Sequence, residues 1–176
     1  MADEQQHFPV GGRERRQGAL DAPLELTGPV VLRLWISAES ADLDVFARLE
    51  HVDAHGEVIP AAGPQGGPMP MAIGWLRASH RELDPERSLP HRPWHPHTRE
   101  VPLTPGEPTL LEVEIWPTSI GLRPGERLRL ELVTTDSDLA PFSHDDPRDR
   151  RPADGATIHT GGEHASHLVV PVIPGG

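Results

Sequence analysis

A chain of 176 residues is long enough to bury roughly two-thirds of its unfolded surface in one core. Its net charge of −11 repels phosphate backbones and anionic lipid, which sets nucleic-acid and membrane partners aside, and no apolar run approaches the roughly 20 residues of a spanning helix. There is no Cys, so the fold needs no disulfide, and all 16 basic residues are Arg; Lys, Asn and Tyr, which share AT-rich codons, are absent, so the arginines reflect a GC-rich genome rather than a recognition task.

Residues 1–21 carry Gly11-Gly12, the charged run Arg13-Glu14-Arg15-Arg16 and no apolar periodicity. They are expected to form a flexible arm or the remnant of a linker, leaving one domain over 22–176. The start of the chain, Met1-Ala2-Asp3-Glu4, lacks the basic and apolar segments of a secretory signal, which points to the cytoplasm.

The fold is organised by Leu26–Ile59. Val30, Leu32, Leu34 and Ile36 share one face against Arg33, Trp35 and Ser37; Leu43, Val45, Ala47 and Leu49 share another against Asp44, Phe46, Arg48 and Glu50. A period of two is that of a strand with one buried face. Asp53-Ala54-His55-Gly56 reads as a turn, and Pro60–Pro70 as a Gly/Pro loop. Ile73–Arg81 is extended again. Over Arg81–Thr104 the prolines limit any helix to a turn or two.

Leu110–Trp116 alternates with Leu111, Val113 and Ile115 inward, and Arg127–Val133 with Leu128, Leu130 and Leu132 inward, after a Pro124-Gly125 turn. Asp136–Gly155 is a charged loop. Leu168–Ile173 is apolar on both faces, and its Pro171 predicts an edge strand or a bulge. Seven or eight strands without an amphipathic helix predict an all-β fold of two packed sheets, a jelly-roll sandwich, since a single sheet would leave the leucines wet.

Chemistry is harder to find. His91, His95 and His97 could offer imidazoles to zinc or copper, but Pro93 and Pro96 forbid a helical face, and the competing reading is a Pro-locked loop packing Trp94. Ser166 lies among His159, Glu163, His164 and His167, yet no Gly-x-Ser-x-Gly elbow exists and Ser166 leads straight into a strand. Asp145–Arg151 is a solvated charged loop, because Arg148 and Arg150 interrupt any calcium-binding alternation. Trp35, Trp75, Trp94 and Trp116 could stack a sugar, or cover a face that meets another domain; an exposed pair of Trp35 and Trp116 would favour the sugar.

Five stretches taken in order resemble one family. They are Leu26-Thr27-Gly28-Pro29-Val30, Gly74-Trp75-Leu76-Arg77-Ala78-Ser79-His80-Arg81, Glu114-Ile115-Trp116-Pro117-Thr118-Ser119, Leu122-Arg123-Pro124-Gly125-Glu126-Arg127-Leu128-Arg129-Leu130, and Glu163-His164-Ala165-Ser166-His167-Leu168-Val169-Val170-Pro171-Val172. Together, over about 22–174, they look like the C-terminal domain of the cocaine-esterase and Xaa-Pro dipeptidyl-peptidase group of serine hydrolases. The resemblance implies a galactose-binding-like jelly roll that packs on an α/β-hydrolase domain, braces it and walls its substrate cleft. The triad would belong to that partner, on the same or a separate chain, so this chain alone is expected to be inactive, with no catalytic, cofactor or metal residue. Self-association is the other partnership to consider, and an independent carbohydrate- or peptide-binding module the other function. Residues expected at a domain interface or facing a ligand are Trp35, Trp75, Arg77, His80, Trp116, Phe142, His164 and His167. Two departures from the family pattern are Glu126, where His is usual, and Pro141–Asp146, where a Phe-Asp-Arg-Asn-type loop is usual.

Overall fold

The computed structural model describes residues 20–63, 66–134 and 155–173 throughout, and residues 4–9 and 14–16 as backbone. The chain is all-β. Its strands are β1 (Glu4–Pro9), β2 (Glu14–Arg16), β3 (Leu24–Ser37), β4 (Asp44–Val52), β5 (Val58–Ile59), β6 (Ala61–Ala62), β7 (Pro68–Met69), β8 (Ala72–Arg77), β9 (Thr109–Leu122), β10 (Arg127–Val133), β11 (Thr157–His159) and β12 (His167–Ile173). Single 3-10 turns cover Ala78–His80 and Gly162–His164. Among the described residues no helix is long and apolar enough to cross a membrane.

The strands pair in the order β1-β12-β3-β9-β8-β4-β10-β2, with β11 on β3 and β5 on β4, and this antiparallel path folds back on itself into a sandwich. One half is built on β12-β3-β9 and the other on β8-β4-β10. Their inner faces meet in one core of Leu26, Val30, Leu32, Leu34 and Ile36 from β3, Leu111, Val113 and Ile115 from β9, and Val45, Ala47, Leu49, Leu128 and Leu130 opposite. These are the inward residues that the period of two selects. The outward residues of neighbouring strands pair by charge: Arg129 faces Glu50, and Arg48 faces Glu131 at 3.0 Å.

The halves join at a single rung, Gly74 of β8 against Ile115 of β9. A Cβ on Gly74 would lie 2.2 Å from the Glu114 carbonyl oxygen and 2.9 Å from the Ile115 Cα, so only a residue without a side chain lets the backbones approach this closely.

Two sequence expectations need correction. Residues 1–21 are not without regular structure, because Glu4–Pro9 pairs with β12 and Glu14–Arg16 with β10. That pairing places β12 between β1 and β3, and Pro171 sits at a bulge against Gly28, the second of the two alternatives that the sequence offered for it. The strand expected to stop at Trp116 continues to Leu122. Gly28 pairs with Thr118 and Val30 with Ile115, so the lone Pro29 faces both Trp116 and Pro117. Two prolines that cannot donate to the ladder are absorbed by this bulge. The turns fall as expected: Gly56 adopts φ 95° in the β4–β5 connection, and Gly125 adopts φ 88° behind Pro124. The Asp136–Gly155 loop lies outside the described residues, apart from Gly155.

Glu126 closes the Pro124-Gly125 turn and is buried. One carboxylate oxygen accepts from the Arg123 backbone N–H and meets His51 Nε2, both at 2.8 Å. The Arg123 amide first, then the His51 imidazole, hold the carboxyl below its ordinary value of 4.5. Because the folded pKa is the lower one, the stabilisation is fully present above 4.5 and is lost below it, as pH falls through the folded pKa. Glu126→Gln should therefore flatten the acid limb of a stability profile taken by urea denaturation between about pH 7 and pH 3. Gly74→Ala should cost about 3 kcal/mol or more in the same assay, while Gly121→Ala, whose Cβ meets nothing within 4 Å, should stay within about 0.5 kcal/mol.

Candidate functional site

The outward face around the Gly74 rung carries the aromatic residues. The β4–β8 register sets Phe46 opposite Trp75 and Asp44 opposite Arg77. Arg77 grips Asp44 with both ends of its guanidinium, Nε to Oδ1 at 2.9 Å and Nη2 to Oδ2 at 3.2 Å. Across the rung, Glu114 and Trp116 point outward from β9. The close approach brings the indoles of Trp75 and Trp116 to 5.9 Å between ring centroids, with their planes at 65°. They are 41% and 43% exposed.

A wall stands over this floor, built by the proline-rich segment between β8 and β9. His95 pins it to the sheet, with Nε2 at 2.8 Å from the Glu112 carbonyl and Nδ1 at 3.1 Å from that of Glu82. Trp94 lies beneath the guanidinium groups of Arg87 and Arg92, 5.5 and 5.8 Å from its ring centroid. His97, at φ 52°, shares an Nδ1 to Nδ1 hydrogen bond of 3.0 Å with His80, so one of the two nitrogens is bare. Burial, then the proximity of His80 and His95, hold His97 below the usual imidazole value.

The base of the wall is tied to β4 through Asp42. Its Oδ1 accepts from the backbone N–H groups of Ser79 at 2.8 Å and Leu43 at 3.0 Å, and its Oδ2 from the Ser79 hydroxyl at 2.9 Å. Arg81 donates to the carbonyls of Ala78, Val101 and Pro102. Floor and wall enclose a groove of about 600 Å³, lined by Phe46, Trp75, Trp94, Trp116, His80 and Glu114 among others.

Of the residues singled out in the sequence, Trp75, Arg77, His80 and Trp116 meet in this groove. Trp35, His164 and His167 do not. Trp35 packs on His164, with centroids 4.5 Å apart, beside His159. Trp35 and Trp116 therefore form no common patch. Phe142 lies outside the described residues. The metal candidates do not converge: both ring nitrogens of His95 face carbonyl oxygens and His97 bonds His80, and among the described residues no group of three or more His, Asp or Glu could hold an ion. The sequence missed Phe46 and Glu114 as groove residues. Their outward parity was readable; the rung that gathers them beside Trp75 and Trp116 was not.

Residues 16–169 match the model of the X-Pro dipeptidyl-peptidase C-terminal non-catalytic domain. Proteins named serine esterase in Mycobacterium bovis and Mycobacterium tuberculosis are 36% identical over 123 residues, which is 67% of this chain and 18% of theirs. A CocE/NonD family hydrolase from Staphylococcus aureus superposes with a TM-score of 0.79 at 27% identity, over 98% of this chain and 33% of its own. An aminopeptidase from a marine-sediment thaumarchaeon superposes with a TM-score of 0.62 at 19% identity, which shows a shared fold. The chain thus spans about a fifth of the length of its curated relatives.

Asp42→Ala leaves three donors at the foot of the wall without their acceptor, two of them on Ser79, which is buried. It should cost about 2–4 kcal/mol by urea denaturation, and Asp42→Asn, whose amide oxygen still accepts, less than half of that.

Proposed function

The chain belongs to the X-Pro dipeptidyl-peptidase C-terminal non-catalytic domain family, and we propose that it serves as the accessory sandwich of a serine hydrolase of that type, in the cytoplasm. It braces an α/β-hydrolase domain, on the same polypeptide or a separate one, and walls its substrate cleft, while the partner performs the dipeptidyl-peptidase or acyl-ester chemistry. The observation that carries this reading is the superposition of almost the whole chain on one third of a CocE/NonD hydrolase.

The local chemistry of Ser166 supports it. This side chain is fully buried, its Oγ accepts from the Trp35 backbone N–H at 2.8 Å and donates to the His159 carbonyl at 2.7 Å. A hydroxyl committed to two backbone groups is a fastening between β3 and the start of β12, and not a presented nucleophile. A second reading, an independent module for carbohydrate or peptide, is favoured by the tryptophan-lined groove.

The purified chain is expected to release no product from a prolyl p-nitroanilide or a short-acyl nitrophenyl ester. Ser166→Ala should leave that background unchanged and lower stability by about 1–3 kcal/mol, the cost of a buried N–H left unmet. Turnover that disappears in Ser166→Ala would overturn the reading.

A further inference from the structure

The strand path ends on two covered edges. At one end β1 has a single hydrogen-bonded neighbour, β12, and at the other β2 has a single one, β10. The edges beneath these covers differ in chemistry. β10 carries Arg127, Arg129 and Glu131, charges that discourage pairing with another chain. β12 carries no charge from Leu168 to Ile173, and Leu168, Val169, Val170 and Val172 are all buried. A seven-residue strand that is apolar on both faces is the kind of edge that draws in a further strand.

β1 covers this edge in a regular register, and the prolines identify the rungs that carry the bonds. Pro9 lies opposite His167, and Pro171 opposite Gln5, so both fall on rungs of one parity. A proline fits a ladder where its missing N–H would have pointed away from the partner. The bonded rungs are therefore Glu4–Val172, Gln6–Val170 and Phe8–Leu168. The stretch that matches the family model starts after β1, at residue 16.

We propose that β1 is a removable guard on this edge, and that the edge is a strand-addition site for a second copy of the chain, two β12 strands pairing antiparallel about a two-fold axis. The occupant is a second copy because the strand is complementary to itself. Overlap of all seven residues puts Val170 on the axis, Leu168 opposite Val172, and His167 opposite Ile173 of the second copy. Bonded rungs then meet bonded rungs, and Pro171 again falls between them. Two chains of net charge −11 repel over most of their surface, and along this edge they meet without charge. The inference does not depend on a hydrolase partner.

The test is the mass in solution, by light scattering after size exclusion, between about 5 and 500 µM. Gln6→Pro removes a donor from a bonded rung and detaches β1; it should dimerise at least about tenfold more tightly than the parent. His7→Pro puts the same ring where the N–H points outward, and should behave as the parent does. Cooperative urea unfolding of both variants checks that the sandwich has formed. The chain has no Cys, so His167→Cys with Ile173→Cys reports the register. Those two positions are roughly 20 Å apart along one strand, too far to bridge within a chain. In the Gln6→Pro background mild oxidation should therefore join two copies covalently. The inference fails if Gln6→Pro dimerises no more tightly than the parent, or aggregates without a defined mass. It fails equally if His7→Pro dimerises as well, or if the cysteine pair does not join the dimer. Loss of cooperative unfolding in Gln6→Pro alone would make β1 a structural strand and overturn its role as a guard.

Discussion

Backbone rests directly on backbone where Gly74 of β8 meets Glu114 and Ile115 of β9, and the rest of the molecule is arranged around that contact. Without it the two halves of the sandwich would each end in an unpaired edge, with β8 and β9 offering their free N–H and C=O groups to other chains. With it, the path of strands is continuous, and two outward faces that would otherwise belong to different sheets become one surface. The core explains why the halves face each other. The rung explains why their outer surfaces share a floor.

The wall over that floor follows from a shortage of donors. Each proline between β8 and β9 removes a backbone N–H and leaves its carbonyl in need of a partner. Side chains make up the difference. Arg81 serves the carbonyls of Ala78, Val101 and Pro102; His95 lies between the carbonyls of Glu82 and Glu112; Arg33 reaches the Pro90 carbonyl at 3.5 Å. This is why a segment with no helix and little strand still holds a defined shape. It also gives the Gly74–Arg81 motif a residue-by-residue account: Gly74 for approach, Leu76 and Ala78 for the core, Arg77 for Asp44, Ser79 for Asp42, Arg81 for the carbonyls. Trp75 and His80 line the groove.

Much of the fold was legible because a period of two admits one assignment of faces. Val30 to Ile36, Leu43 to Leu49, Leu111 to Ile115 and Leu128 to Leu130 are buried where alternation puts them. Less legible were the places where register breaks, since Pro117 reads as a stop in a linear scan and becomes continuous strand only when Pro29 lies opposite. The two short strands before residue 20 have no periodicity to reveal them and exist through their partners β12 and β10. The groove was half legible. Trp75, Arg77, His80 and Trp116 stood out by residue type, whereas Glu114 looks like any solvated strand glutamate until the seam sets it beside two indoles. Histidine spacing misled for a related reason: His95 and His97 sit two apart in sequence, but their nitrogens are taken by carbonyls and by His80.

The extra residue in β9 has a meaning of its own. On either side of Trp116-Pro117 the partners in β3 keep the same facing, so a chain one residue shorter there could run as an unbroken ladder with Ile115 and Leu122 still directed inward. The insertion is therefore silent for the hydrophobic interior and consequential only for orientation. It bends the strand at the point where an indole leaves the sheet. Seen this way, the interior and the groove are separately adjustable parts of one strand: a single amino acid gained or lost at that bend would re-aim the tryptophan while the sandwich carried on unaltered.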